Sequence, residues 1–213
     1  MAAKCQPELN DYLVTQCLSQ AFLNDPYDMN GPKESIVCVC EADLDGILTM
    51  QVLKLMTGQP VLFYDLRHHD SQDDVYVFSN CGSMGTFFAA SLGAGGELTK
   101  SSLLSSDSIY YPGGGIAVQY MAALGKVTFA RLARKAGKYW MVVFGGEFVE
   151  RPVEKLQEAS VEWPQAFARL SVPPEVLIEN LGSNHLYTVA GGYVDCLVEF
   201  CSMMGIEAKV LGR

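Results

Sequence analysis

The feature that most constrains the fold is a series of short β-branched and aromatic runs, separated by glycine-rich turns, that begins after Asp70. Strands are predicted over residues 75–79, 109–111, 116–120, 126–134 and 138–148. The last two runs flank Ala136-Gly137, a turn sequence that predicts a long hairpin. Many short strands with regular turns are typical of an antiparallel barrel or sandwich. We therefore expect an antiparallel barrel or sandwich over the part of the chain after Asp70.

The N-terminal part has a different pattern, in which runs of helical and strand type alternate. Apolar residues recur at helical spacing over residues 7–22, which predicts a first helix, and residues 35–40 (SIVCVC) predict a buried strand. Asp43 or Asp45 can cap a second helix, and a second strand is predicted over residues 61–66. This order of elements is typical of the end of an α/β domain.

We therefore predict an α+β protein with two parts. Residues 1–58 would be a small β-α-β remnant of an α/β domain, and residues 59–213 would be an antiparallel β domain of barrel or sandwich type. A C-terminal helix is predicted over residues 192–204 and a last strand over residues 207–211.

The composition argues against some classes of partner. Hydrophobic residues make up 49% of the 213 residues and charged residues only 18%, so the chain can bury a core. The net charge of −9 argues against a nucleic-acid-binding surface, which needs clustered lysine and arginine. The apolar stretches are too short to cross a membrane, and the N-terminus lacks an apolar signal segment. We expect a cytoplasmic protein whose seven cysteines are reduced and mostly buried.

Two carboxylates follow predicted strands and are candidates for a functional site. Glu41 directly ends the apolar run of residues 35–40, and Asp65 follows the next strand. A β-α-β unit brings its two strand ends to the same side of the sheet, so these carboxylates can meet in one cleft. A salt bridge to Arg67 explains Asp65 equally well by geometry alone. Asp43 is more simply a helix cap.

His185 is the third candidate, because it stands between a Gly-Ser turn and an apolar strand. A lone histidine in such a place is more often a hydrogen-bonded structural residue than a ligand. The other histidines, His68 and His69, belong to a polar run typical of a solvated loop. Two carboxylates plus one imidazole form a donor set that suits Mn²⁺, Mg²⁺ or Fe²⁺ with open coordination positions.

Taken in order along the chain, these signals resemble a known pattern. The stretch CEADLDGILTMQVLKLMTGQPVLFYDLR resembles the segment of L-fucose isomerase-like proteins that supplies a catalytic Glu and then a catalytic Asp. NCGSMG, YPGGG, VTFARLAR, VEWPQAFARL and the terminal SNH also look like parts of that family's C-terminal region. The resemblance runs from about Ser35 to the end of the chain. It rests on the order and spacing of the motifs, since no single motif is diagnostic.

The resemblance implies an antiparallel β-barrel for residues 59–213, a set of site residues and a cofactor. Glu41, Asp65 and His185 would hold manganese, with magnesium or iron(II) as alternatives, and the two carboxylates would also be catalytic. Trp163 and Asn184 would line the sugar pocket. The implied activity is metal-dependent aldose–ketose isomerisation, in which a proton moves between C1 and C2 of an open-chain sugar through an enediol.

The resemblance also implies a partner. Family members are longer, with N-terminal domains, so this chain would form a homo-oligomer or a complex with a chain that supplies those domains. The alternative is a non-catalytic sugar- or metal-binding fragment that assembles with a longer isomerase. A third possibility is a globular α+β domain in which Glu41, Asp65 and His185 never meet.

Overall fold

The structure, a computed structural model, describes residues 1–5, 7–89, 103–106, 111–152, 154–155, 160 and 162–212. The helices are α1 (Glu8–Tyr12), α2 (Cys17–Asn24), α3 (Leu44–Thr57), α4 (Pro174–Leu181) and α5 (Val194–Met204). The strands are β1 (Tyr27–Asp28), β2 (Gly31–Pro32), β3 (Leu62–Asp70), β4 (Val75–Ser79), β5 (Leu103–Ser106), β6 (Ile116–Gln119), β7 (Gly125–Lys135), β8 (Lys138–Phe148), β9 (Gln165–Leu170), β10 (His185–Ala190) and β11 (Glu207–Val210).

The central feature is an antiparallel barrel of six strands in the order β8-β7-β10-β3-β4-β9. Strand β9 pairs with β4 on one side and with the end of β8 on the other, which closes the barrel. Strand β11 adds to β8 in parallel. The predicted α+β class and the antiparallel β-barrel are therefore confirmed, and the predicted C-terminal helix corresponds to α5.

The alternation of side chains along the strands divides the core into layers. Leu62 and Tyr64 of β3 point into the barrel, where they pack with Phe129 and Phe144. Phe63, between them, faces outward into a second layer under α3 and α5. Because successive strand residues alternate between the two faces, one apolar run fills both layers. The residues that follow on the outer face of β3 are therefore placed next to α3.

The long hairpin of β7 and β8 confirms the prediction made from Ala136-Gly137. Both turn residues have positive φ, at 51° and 79°. Such a turn matches the right-handed twist of the strands that it joins. The hairpin supplies the two longest strands of the barrel, each of 11 residues.

Two N-terminal predictions were wrong in detail. The helix expected over residues 7–22 is divided into α1 and α2, because the N–H of Thr15 donates to the carbonyl of Gly114 instead of continuing the helix. Residues 38–40 are buried, but residues 35–40 form no strand of the sheet. Val39 makes only a parallel bridge with Ala2, so the predicted β-α-β unit is an extended segment followed by α3 and β3.

Other expectations stay predictions. The strand predicted over residues 109–111 falls largely outside the described residues. The division into residues 1–58 and 59–213 also stays a prediction, although α3 packs on β7 and β10. Within the described ranges, no helix combines the length and apolar character needed to span a membrane.

Candidate active site

Three side chains predicted from the sequence meet on the outer face of the barrel. Nε2 of His185 lies 3.3 Å from a carboxylate oxygen of Glu41 and 3.3 Å from one of Asp65. This nitrogen is buried and, within the described ranges, has no hydrogen-bond partner of good geometry. The reading in which Glu41, Asp65 and His185 never meet is therefore wrong.

The pairing of β3 with β10 explains why Asp65 and His185 are neighbours. Asp65 lies directly opposite His185 in the antiparallel register, and Phe63 lies opposite Tyr187. Paired residues on one face of a sheet have adjacent side chains. The ring of Phe63 also contacts the imidazole edge-on at a centroid distance of 5.0 Å. The imidazole therefore has an apolar neighbour on one side, which restricts the orientation of its ring.

Glu41 reaches the same point from the turn that precedes α3. Glu41 and Ala42 both have left-handed φ values, 58° and 54°. Such a conformation in a residue other than glycine costs about 1–3 kcal/mol and is found most often at functional sites. Asp43 then caps α3 by accepting from the N–H of Gly46 at 2.8 Å. The two carboxylates therefore converge, but by a tight turn and not by two parallel strands.

Asp43 has a second role that the sequence did not reveal. Its Oδ2 accepts hydrogen bonds from Nδ1 of His185 at 2.8 Å and from the Tyr187 hydroxyl at 2.7 Å. Arg131 donates to both carboxylate oxygens, from Nη2 at 3.1 Å and from Nη1 in a shorter contact. A carboxylate on one ring nitrogen fixes the imidazole tautomer and its orientation. Asp43 thereby aims Nε2 of His185 at Glu41 and Asp65.

The electrostatic environment of these groups is strongly perturbed. Burial lowers the pKa of His185, but the surrounding carboxylates of Asp43, Asp65 and Glu41 outweigh it and raise the pKa to about 11. Burial opposes ionisation of Asp43, but the donors His185, Arg131 and Tyr187 hold its pKa well below the usual range. The adjacent His185 likewise lowers the pKa of Glu41. Perturbed pKa values that arise from burial and specific partners are typical of functional sites.

The remaining predicted residues lie around this centre. The amide of Asn184 donates to Oδ1 of Asp65 at 2.6 Å, so it holds the carboxylate in place. Asp65 and Arg67 form no ion pair, which removes that explanation of Asp65. Trp163 is buried and lies under the Arg67 guanidinium, with 5.7 Å from Cζ to the ring centroid. The role of Trp163 and Asn184 toward a sugar stays a prediction.

His68 and His69 lie outside the cluster. They belong to β3 and not to a loop, and His69 pairs with Asp74 at 2.9 Å. The residues missed from the sequence are Arg131 and Tyr187, which both contact Asp43. Tyr187 could have been found because it lies two residues after His185, on the same face of one predicted strand. No local pattern in the sequence pointed to Arg131.

Comparison with known proteins identifies the family. A family model for the C-terminal domain of L-fucose isomerase matches residues 78–211. The chain belongs to the L-fucose isomerase C-terminal domain family. His185 lies inside the matched region, whereas Glu41 and Asp65 precede it.

Relatives of this family extend the similarity to the N-terminal residues. The sulfoquinovose isomerase of Priestia megaterium is 24% identical over 214 aligned residues, which cover 99% of this chain and 43% of the relative. The sulfoquinovose isomerase of Alkalicoccus urumqiensis is 25% identical, over 71% of this chain and 31% of the relative. The L-fucose isomerase of Vibrio vulnificus is 36% identical over 33% of this chain and 12% of the relative. The chain thus spans less than half the length of these curated relatives.

The glycine in the first turn of α3 provides a test of the site's packing. A Cβ at Gly46 would overlap the hydroxyl of Tyr187 and approach Asp43. Alanine favours a helix by about 1 kcal/mol over glycine, but overpacking costs about 1–3 kcal/mol. We expect Gly46→Ala to lower the midpoint of urea unfolding, whereas Gly145→Ala, where a Cβ meets no atom within 4 Å, leaves it unchanged. A more stable Gly46→Ala variant would contradict this packing.

Proposed function

We propose that this chain carries the metal-binding part of a sugar isomerase active site, in which Glu41, Asp65 and His185 act together. The observation that supports the proposal most strongly is the approach of Glu41 and Asp65 to the same imidazole nitrogen, each at 3.3 Å. Membership of the L-fucose isomerase C-terminal domain family supports an isomerase as the type of protein. The metal, the mechanism and the activity of this chain are our proposals.

The donor set fits a hard divalent cation. Among the described residues, no group of three His, Cys, Asp or Glu side chains has, as it stands, the geometry to hold a metal ion. Within the same ranges, the buried Nε2 of His185 nevertheless has no hydrogen-bond partner of good geometry and faces two carboxylates. Its other nitrogen is held by Asp43, which is the usual arrangement behind a metal-bound histidine. These features fit a histidine that binds a divalent cation better than they fit a histidine with a purely structural role.

Glu41, Asp65 and His185 would hold Mn²⁺, with Mg²⁺ or Fe²⁺ as alternatives that accept the same donors. When bound, the ion would act as a Lewis acid that stabilises negative charge on the sugar oxygens. Asp43 holds the imidazole through its Nδ1 atom, and Arg131 in turn holds the Asp43 carboxylate.

The two carboxylates would move the proton between C1 and C2 of the sugar. The pKa of Glu41 is lowered by His185, so this carboxylate is ionised near neutral pH and can accept a proton as a general base. Asp65 would donate a proton of its own on the other side, and the proton accepted by Glu41 would pass back to Asp65 before the next turnover; Asn184 holds Oδ1 of Asp65 in position. Trp163 would pack against the apolar face of the sugar, as aromatic rings in mixed pockets do.

Manganese titration by calorimetry of the full chain, followed by an isomerase assay, tests the proposal. We expect saturable binding that is lost in the Asp65→Ala/His185→Ala double variant. The matched control is His69→Ala/Asp74→Asn, which removes an imidazole–carboxylate pair formed by β3 and the turn that follows it. L-fucose and sulfoquinovose, the sugars in the names of the relatives, are the first substrates to assay. Absence of saturable binding in all three proteins would contradict the assignment.

A second function is supported by one observation. The cluster of Glu41, Asp65 and His185 would bind a cation whether or not turnover follows, so the second candidate is a non-catalytic sugar- or metal-binding module. Metal binding without turnover of either sugar would favour this function. Turnover by the isolated chain would exclude it.

A further inference from the structure

Arg67 lies at an irregular position of β3, two residues after Asp65. In the pairing of β3 with β4, Leu66 lies opposite Phe78 and His68 lies opposite Val77, so Arg67 has no partner on β4. A bulge of this kind redirects a side chain and is common beside active sites. The guanidinium is directed over the ring of Trp163.

In the part of the chain that the structure describes, no acidic side chain pairs with the Arg67 guanidinium. Arg131, Arg134 and Arg151 each form an ion pair with an aspartate. Within the described residues, Arg67 forms no ion pair and no hydrogen bond, and the nearby Asp65 is already held by Asn184 and His185. Among the described residues, the guanidinium donors of Arg67 are therefore unused, two positions along β3 from Asp65.

A cavity of about 420 Å³ adjoins this arginine. Arg67 and His68 line it on the side of β3, and Ser183 and Asn184 line it on the side of β10. Asn184 also donates to Asp65, so one residue of the cavity wall contacts the cluster of Glu41, Asp65 and His185. Its volume lies within the range of about 300–1,000 Å³ that small-molecule sites occupy. Glu179 of α4 is the acidic side chain in the lining.

We infer that Arg67 binds an anionic substituent of the sugar, so that the substrate is an acidic sugar and not a neutral one; this inference rests on the proposed function. A guanidinium presents several N–H donors in a planar fork that matches the oxygens of sulfonate, phosphate or carboxylate, and stacking on Trp163 holds that fork in one orientation. Asp43, Glu41 and Asp65 would repel an acidic sugar, and Arg67 offsets that repulsion. A neutral sugar would leave the guanidinium without a partner.

The test is a calorimetric titration of the manganese-loaded full chain with matched sugars. The probes are glucose and its derivatives with a sulfonate, a phosphate or a carboxylate at carbon 6. We expect at least one anionic sugar to bind roughly 10- to 100-fold more tightly than glucose, since hydrogen bonds to charged groups are the strong ones. That preference should disappear in Arg67→Gln. It should persist in Arg169→Gln, which removes an exposed arginine on β9.

The outcomes separate this inference from the proposed function. Equal binding of glucose and the anionic sugars, with binding intact, would overturn the inference and leave the isomerase site standing. An anionic preference that survives in Arg67→Gln would overturn the role of Arg67. No binding of any sugar to the manganese-loaded chain would overturn both proposals. The sulfonate, phosphate and carboxylate arms identify which anionic group the cavity accepts.

Discussion

Replacing Asp43 with alanine is expected to lower the free energy of unfolding by about 3–5 kcal/mol, the usual cost of breaking a buried ion pair from one side. The side chains of Asp43 and Arg131 are 10% and 7% exposed, so Arg131 would keep a buried charge without its partner. The capping bond to Gly46 would be lost as well. Urea unfolding followed by far-UV circular dichroism measures the difference.

Two further variants distinguish the loss of the buried Asp43–Arg131 ion pair from a general weakening of α3. Asp45→Ala breaks the ion pair with Arg134, whose side chain is 53% exposed, and exposed pairs contribute only about 0–1 kcal/mol. The double variant Asp43→Ala/Arg131→Met should recover much of the loss, because it leaves no unpaired charge. Equal effects of Asp43→Ala and Asp45→Ala would show that the buried network is not the cause.

The effect of Asp43→Ala also depends on pH. The pKa of Asp43 is held below its ordinary value of 3.8, against the effect of burial, by donors that include His185 and Arg131. A carboxylate of this kind contributes stability above the unfolded pKa, and the contribution is lost as pH falls through the folded pKa. The difference between the wild type and Asp43→Ala should therefore be full near neutral pH and shrink in strong acid. A difference that grows in acid would contradict the sign.

The second large effect concerns Asp65. Asp65→Asn keeps the shape of the side chain and an acceptor for Asn184, but it removes the negative charge 3.3 Å from His185. If Asp65 transfers the proton, we expect turnover to fall by about 10²- to 10⁴-fold, the usual contribution of a general acid or base. Manganese binding should weaken as well, because a neutral amide is a poorer ligand. Steady-state kinetics and calorimetry on the same samples provide both values.

Asp70→Asn is the matched control for this variant. Asp70 lies on the same strand and pairs with Arg151, away from His185. Circular dichroism of both variants verifies that the fold is retained. Turnover at the wild-type level in Asp65→Asn would remove Asp65 from the catalytic residues, and an equal loss in Asp70→Asn would point to a general effect on β3.

Much of the barrel could be predicted from local sequence. The β7–β8 hairpin was predicted because Ala136-Gly137 permits the positive φ values that its turn requires. The strand predicted over residues 35–40 was wrong because an apolar run shows only that a chain is extended and buried. A strand also needs a partner, and here the described partner is a single bridge from Ala2 to Val39.

The candidate site could be predicted in part. Glu41, Asp65 and His185 were identified by their positions after apolar runs, and the structure brings them together. The role of Asp43 could not be seen, because its capping bond to Gly46 is local and explains the residue fully. Its other partners are 88 residues away at Arg131 and 142 residues away at His185. No local pattern reports contacts over such distances.

The position of β10 has a consequence for how the protein is made. This strand pairs with β3 on one side and β7 on the other, although it is synthesised long after both. Until residues 185–190 leave the ribosome, β3 and β7 each keep an unpaired edge that can recruit strands from other chains. His185 begins β10, so the final closure of the barrel also delivers the imidazole to the carboxylates. A nascent chain that stops short of this strand would be an open, aggregation-prone sheet that lacks His185.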